Sequence, residues 1–251
     1  MKRTLCDVVL VLCLFPLAGC LNAPPAGVTR GIVEIKNTQV RDGDNPDQFV
    51  LHINTLTGVV IGEHTVLTVA HTFSDEPSSD HQITIDGRAV EYTIIADGWG
   101  GLRSDQDLAD KPAEMNDIQE DYLLLKATES FSDIAQLAPL EYERADELRN
   151  LYLVTRRVET GKVEAMLAKR VSFVKDLRYI LVDLPGKADE GFYLSGSPLI
   201  GTYEDGTLVL VGIVKGTGDL LIESDGVSKK FDHQLFVFPA YRIPFDLITE
   251  P

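Results

Sequence analysis

The shortness of its apolar runs constrains this chain more than any other feature. They fall at 49–53, 58–62, 65–70, 82–85, 89–95, 122–126, 152–154, 163–167, 179–184, 199–200, 207–214 and 235–238. Runs of this length, rich in Val, Ile and Leu and bounded by Gly, Asp or Pro, match buried strands rather than helices. Three boundaries carry hairpin chemistry: Gly62-Glu63-His64, Asp86-Gly87 and Tyr203-Glu204-Asp205-Gly206. Only 142–148 and the stretch 242–248 suggest a helical turn, and 97–119, with Gly98, Gly100, Gly101 and Pro112, is a long polar loop. A dozen short strands with little helix predict an all-β barrel or sandwich. No internal repeat, Walker loop or Gly-rich dinucleotide fingerprint is present.

Charge narrows the function. The 251 residues hold 23 Lys and Arg against 39 Asp and Glu, a formal net charge of −16. Phosphate backbones are bound by clustered cations, so nucleic acid is not an expected partner. His52, His64, His81 and His233 are dispersed without metal-ligand spacing. Asp105, Asp107 and Asp110 lack the Gly and closing Glu of a calcium loop. No metal and no cofactor is expected.

The N-terminus reads as a processing segment. Lys2 and Arg3 precede an apolar run at 8–17, too short to span a bilayer, and Leu17-Ala18-Gly19-Cys20 follows. That order resembles the bacterial lipobox. The resemblance implies a signal peptide at 1–19, cleavage before Cys20, a lipid on its sulfur and a tether at 20–30 containing Pro24, Pro25 and Gly27. The protein is then expected in the cell envelope, on an outer membrane if the cell has one, since no Asp follows Cys20. All three cysteines (Cys6, Cys13, Cys20) lie here, so no disulfide is expected to brace the fold.

Three strand boundaries carry reactive side chains. His71 ends Val66-Leu67-Thr68-Val69-Ala70-His71. Asp121 opens Asp121-Tyr122-Leu123-Leu124-Leu125-Lys126, and Ser195 lies in Tyr193-Leu194-Ser195-Gly196-Ser197-Pro198-Leu199. Singly, each is as compatible with a packed His, a surface acid or a turn. In the order His, Asp, Ser, with Leu210-Val211-Gly212-Ile213-Val214 beyond them, they resemble the trypsin and chymotrypsin-like serine proteases, particularly disulfide-free bacterial members.

The resemblance covers about residues 31–247. It implies two six-stranded antiparallel β-barrels, about 31–130 and 150–240, in one domain spanning 31–251, with the site in the cleft between them. The first barrel supplies His71 as general base and Asp121 as its orienting acid, in preference to Asp117 or Glu120. The second supplies Ser195 as nucleophile. The amides of Tyr193 and Ser195 would form the oxyanion hole. Asp189, Val214, Lys215 and Gly216 would contact substrate, a protein or peptide.

Two departures from the family pattern matter. Tyr193 stands where the family has Gly, which is expected to strain the backbone and weaken the oxyanion hole. Leu194 replaces the acid that in digestive members pairs with a freed N-terminus, so activation of that kind is not expected. Asp189, six residues before Ser195, is in the register of a pocket acid that favours Lys or Arg, while Lys215 would neutralise or reverse that preference. The leading reading is a lipid-anchored serine endopeptidase with weak activity. The alternative is an inactive homologue that binds a peptide or protein partner.

Overall fold

The computed structural model describes residues 24–42, 49–73, 82–98, 120–132, 136–168, 171–173, 180–183, 191–224 and 227–248. Among them are sixteen strands and only short 3-10 turns. The signal segment, Cys20, Asp117 and Asp189 lie outside the described residues.

The first half contains β1 (Ile32–Asp42), β2 (Phe49–Val60), β3 (Thr65–Thr68), β4 (Gln82–Ile85), β5 (Arg88–Val90), β6 (Tyr92–Asp97) and β7 (Leu123–Ala127). Their hydrogen-bonded order is β5-β4-β1-β2-β3-β7-β6, all antiparallel. Only Glu91 separates β5 from β6, and its carbonyl accepts the Thr128 N–H at 3.0 Å. The two ends of the path are thus one interrupted strand, and the seven segments close into a six-stranded barrel. Closure leaves no exposed edge, the usual liability of an antiparallel sheet.

The second half contains β8 (Ala138–Pro139), β9 (Asn150–Arg157), β10 (Val163–Leu167), β11 (Val171–Phe173), β12 (Ile180–Asp183), β13 (Phe192–Tyr193), β14 (Pro198–Thr202), β15 (Leu208–Ser224) and β16 (Val227–Pro239). The path is β10-β9-β14-β15-β16-β12-β11, with β13 added to β9 and β8 to β15. Its ends, β10 and β11, are consecutive in the chain and separated by three residues. That succession is the one a second six-stranded barrel requires.

Period-2 alternation decides how the halves meet. Leu153, Leu199, Val211, Val214 and Val237 point into the second barrel. Their strand neighbours Tyr152, Val154, Ile200, Ile213 and Phe238 join the core of the first, with Leu56, Leu67 and Leu123. Strands β9, β14, β15 and β16 are thus apolar on both faces, and one continuous apolar layer glues the barrels together. Burial of that layer supplies the main stabilisation, at about 25 cal/mol per Å² of apolar surface.

Several strands outrun their apolar runs. The run at 49–53 and the start of that at 58–62 belong to the single strand β2, which continues through Asn54-Thr55-Leu56-Thr57 in register with β1 and ends at Val60. Strand β15 continues past Val214 to Ser224, and β16 starts at Val227, with register pairs such as Leu221 with Lys230 and Glu223 with Ser228. The expected tether also ends early: Val28 is 2% exposed in the first core, and the Gly31 carbonyl accepts the Val60 N–H at 2.8 Å.

Candidate active site

Strand β3 delivers His71. After Thr68 the chain buries Val69 and Ala70 and turns through the 3-10 segment His71–Phe73, whose Phe73 is anchored in the core. The Asn37 amide, itself buried, donates to the Thr72 carbonyl at 2.8 Å and braces this turn.

Asp121 sits one residue before Tyr122 and is fully buried. Its Oδ1 accepts the amides of Ala70 at 2.8 Å and His71 at 2.9 Å. Its Oδ2 lies 2.7 Å from His71 Nδ1. A buried carboxylate is costly unless its lone pairs are satisfied, and three donors satisfy it here. An ionised carboxylate only accepts, so Nδ1 carries the proton and Nε2 is left with its lone pair free. The imidazole is 29% exposed, which leaves that face open to a reacting group.

The neighbours of Asp121 are committed elsewhere. The Glu120 carboxylate accepts from Arg242 Nη2 at 2.8 Å. Tyr122 stacks on Phe238 with ring centroids 5.5 Å apart, and burial raises its phenol pKa. Glu120 is therefore unavailable to His71.

The segment Tyr193–Ser197 comes from the second barrel but is stitched to the first. Thr57 of β2 gives its N–H to the Ser195 carbonyl at 2.9 Å and its hydroxyl to the Tyr193 carbonyl at 3.0 Å. Gly196, at φ +77°, lies so close to β2 that a Cβ there would stand 1.9 Å from the Thr57 carbonyl oxygen and 2.7 Å from Thr68 Oγ1. Thr68 precedes His71 by three residues. The Ser195 backbone and the His71–Asp121 pair thus converge on one corner of the first barrel.

Tyr193 carries no backbone strain. It lies in the extended strand β13, opposite Arg156, and Asp86 and His233 are the non-glycine residues with positive φ among those described. Gly196 takes the left-handed conformation instead, so the expected strain at Tyr193 does not arise, while the Tyr193 N–H is engaged by the Arg156 carbonyl in the β13–β9 pairing.

The substrate-side residues surround the same segment. The Val214 carbonyl accepts the Gly196 N–H at 2.9 Å, and the Val214 N–H donates to the Ser197 carbonyl at 2.8 Å. Lys215 forms a bulge between β15 and β16 and is partly buried. Gly216 faces open space. Beyond Val214, whose N–H and carbonyl are both taken by 196–197, β15 has no strand partner on that side among the described residues.

Sequence reasoning missed Asn37, Thr57, Thr68 and Thr155. The available signal was a threonine or asparagine at an inward-facing strand position, where such a side chain must find a partner.

No family model and no curated protein matches the chain. Among solved structures it is similar to the Rv3671c protease from M. tuberculosis in its active form, at 16% identity and a TM-score of 0.50, covering 94% of this chain and 86% of that one. The chain has a trypsin-like two-barrel fold.

Proposed function

We propose that this protein is a serine endopeptidase acting through His71, Asp121 and Ser195. The observation that carries the reading is the carboxylate of Asp121, whose bond to Nδ1 leaves the Nε2 lone pair of His71 as a base. A serine hydroxyl is a weak nucleophile at neutral pH and needs such a base.

In this reading Ser195 Oγ attacks the peptide carbonyl carbon while its proton passes to His71 Nε2. The carbonyl oxygen becomes an oxyanion, held by the amide of Ser195 and by that of Tyr193 once it leaves the Arg156 carbonyl with which it pairs in β13. Collapse breaks the C–N bond, and the imidazolium returns its proton to the leaving amine. An acyl-Ser195 ester remains. Water, deprotonated by the same imidazole, hydrolyses that ester and regenerates the hydroxyl. The peptide lies as an added strand along β15 past Val214, at Lys215 and Gly216, the mode that recognises extended backbone at a sheet edge.

A fluorophosphonate probe tests the chemistry. Covalent labelling of the wild type that is lost in Ser195→Ala is expected. A natively folded wild type that takes no label would favour the reading in which this cleft only binds peptide.

The same proposal places the protein on a membrane through lipidated Cys20, in the bacterial envelope. Incorporation of radiolabelled palmitate, abolished by Cys20→Ala, checks the anchor. Incorporation undiminished in that variant would remove it.

A further inference from the structure

The carbonyl of Tyr193 is held unusually firmly. Three hydroxyls surround it, from three separate stretches of chain. Thr57 Oγ1 of β2 lies 3.0 Å away, Thr155 Oγ1 of β9 lies 2.9 Å away and Ser197 Oγ lies 2.8 Å away. Ser197 Oγ is also 2.8 Å from Thr155 Oγ1. All three residues are fully buried. A carbonyl oxygen has two lone pairs and each hydroxyl one proton. The Arg156 N–H also reaches this carbonyl in the β13–β9 pairing, so the hydroxyls share the remaining accepting capacity, with Ser197 donating to Thr155.

Thr57 also donates its N–H to the Ser195 carbonyl. One residue therefore clamps the carbonyls on both sides of Leu194. Its own carbonyl accepts the Thr68 hydroxyl at 2.9 Å, which ties the clamp to the strand that delivers His71. Rotation of the 193–194 or 195–196 peptide plane would break buried hydrogen bonds to both barrels. Leu194, between the clamped carbonyls, packs against the second core and carries no charge.

We infer that Thr57, Thr155 and Ser197 are positioning residues that hold the 193–195 segment, and with it the Ser195 backbone, against the strand that delivers His71. The segment is then formed without any ion pair at Leu194 and without a freed N-terminus. This rests on the serine-peptidase reading for its catalytic consequence but not for its structural one. The two arms of the test separate them.

Thr57→Val keeps the branched shape and the backbone bond and deletes the hydroxyl. Hydrogen exchange of full-length protein, read by mass spectrometry over 193–197, is expected to accelerate about 10-fold or more in Thr57→Val and in Thr155→Val, and to return toward the wild-type rate in Thr57→Ser. The inactivation rate constant with a fluorophosphonate is expected to fall about 10- to 100-fold, short of outright loss of a donor, with the inhibitor's KI within about twofold. Exchange unchanged in both valine variants would overturn the inference whether or not the wild type labels. An undiminished inactivation rate in both, in a wild type that labels, would overturn it as well. The valine pair probes the clamp from each barrel, so failure of one variant to fold leaves the other decisive. A wild type that takes no label sinks the peptidase reading, and the exchange arm still decides the clamp.

Discussion

Arg156 Nη2, on the second barrel, lies 2.8 Å from Asp86 Oδ1, on the β4–β5 hairpin of the first. The same nitrogen lies 3.2 Å from the Ile32 carbonyl, and Nη1 donates to the Gly161 carbonyl at 3.2 Å. The guanidinium is 15% exposed, and its Nε is buried with no acceptor among the described residues. Arg156 is also the register partner of Tyr193. A polar tie between the barrels therefore sits directly behind the proposed oxyanion segment.

Removing its charge should loosen that tie. Asp86→Asn keeps an acceptor for the Glu34 N–H, a 2.8 Å bond, and a residue tolerant of the φ of +47° found there. It is expected to destabilise by about 1 kcal/mol, the low end for a bond to a charged group because the carboxylate is partly solvated. Asp86→Ala should cost about 1 kcal/mol more, from the left-handed backbone. Denaturant unfolding checks the order. Equal stability of all three proteins would show that the tie contributes nothing.

The orienting role of Asp121 has a sharper test. In Asp121→Asn the side-chain oxygen still accepts the amides of Ala70 and His71, so the turn should survive. The NH₂ group then faces Nδ1 and forces the proton onto Nε2, the wrong tautomer for a base. Labelling by a fluorophosphonate is expected to slow by about 10⁴-fold, with an unchanged circular dichroism spectrum. A loss below about tenfold would mean that His71 is not oriented by this carboxylate.

Much of this was legible because it is local. Strand runs such as 163–167 coincide with β10, and the motifs at His71, Asp121 and Ser195 announce themselves as polar side chains ending apolar strands. What escaped depends on register. Whether β2 is one strand or two is decided by its pairing with β1, and the Gly-rich stretch 215–219 joins the rest of β15 into one strand through its pairing with β16. Thr57 carries no local mark of function. Its importance arises from Tyr193 and Ser195, which are 136 and 138 positions away in the chain. Strain was expected at Tyr193 because Gly holds that place in the family. Here Gly196 takes the unusual φ.

Arg157 and Glu164 give a pH-dependent signal beside the same segment. The guanidinium donates to both carboxylate oxygens at 3.1 Å and lies over the Phe192 ring at 4.7 Å. The hydrogen bond to Arg157 lowers the Glu164 pKa. A depressed carboxylate stabilises the fold above its unfolded pKa, and that contribution is lost as pH falls through the folded one. Both groups are substantially exposed, so the effect is small. Wild type should therefore exceed Glu164→Gln slightly in unfolding midpoint at neutral pH, with the gap closing in acid below the carboxylate range. A gap that widens on acidification would contradict the sign.

Gly196 and Gly206 separate backbone strain from lack of space. Both have positive φ, +77° and +83°. At Gly206, in the β14–β15 turn, a Cβ meets nothing within 4 Å, so Gly206→Ala should cost only the left-handed penalty of about 1–2 kcal/mol. At Gly196 the same methyl would strike the Thr57 carbonyl oxygen, a backbone atom that moves only if β2 moves. Gly196→Ala must therefore pull the nucleophile segment off the first barrel, breaking the Thr57–Ser195 bond and exposing the Thr57 hydroxyl's buried acceptor. A loss of about 3 kcal/mol or more is expected, from strain together with unsatisfied buried groups, along with failure to label. Thermal unfolding of the two variants side by side checks this. Equal losses would mean that the close approach of Gly196 to Thr57 does not hold the barrels in register.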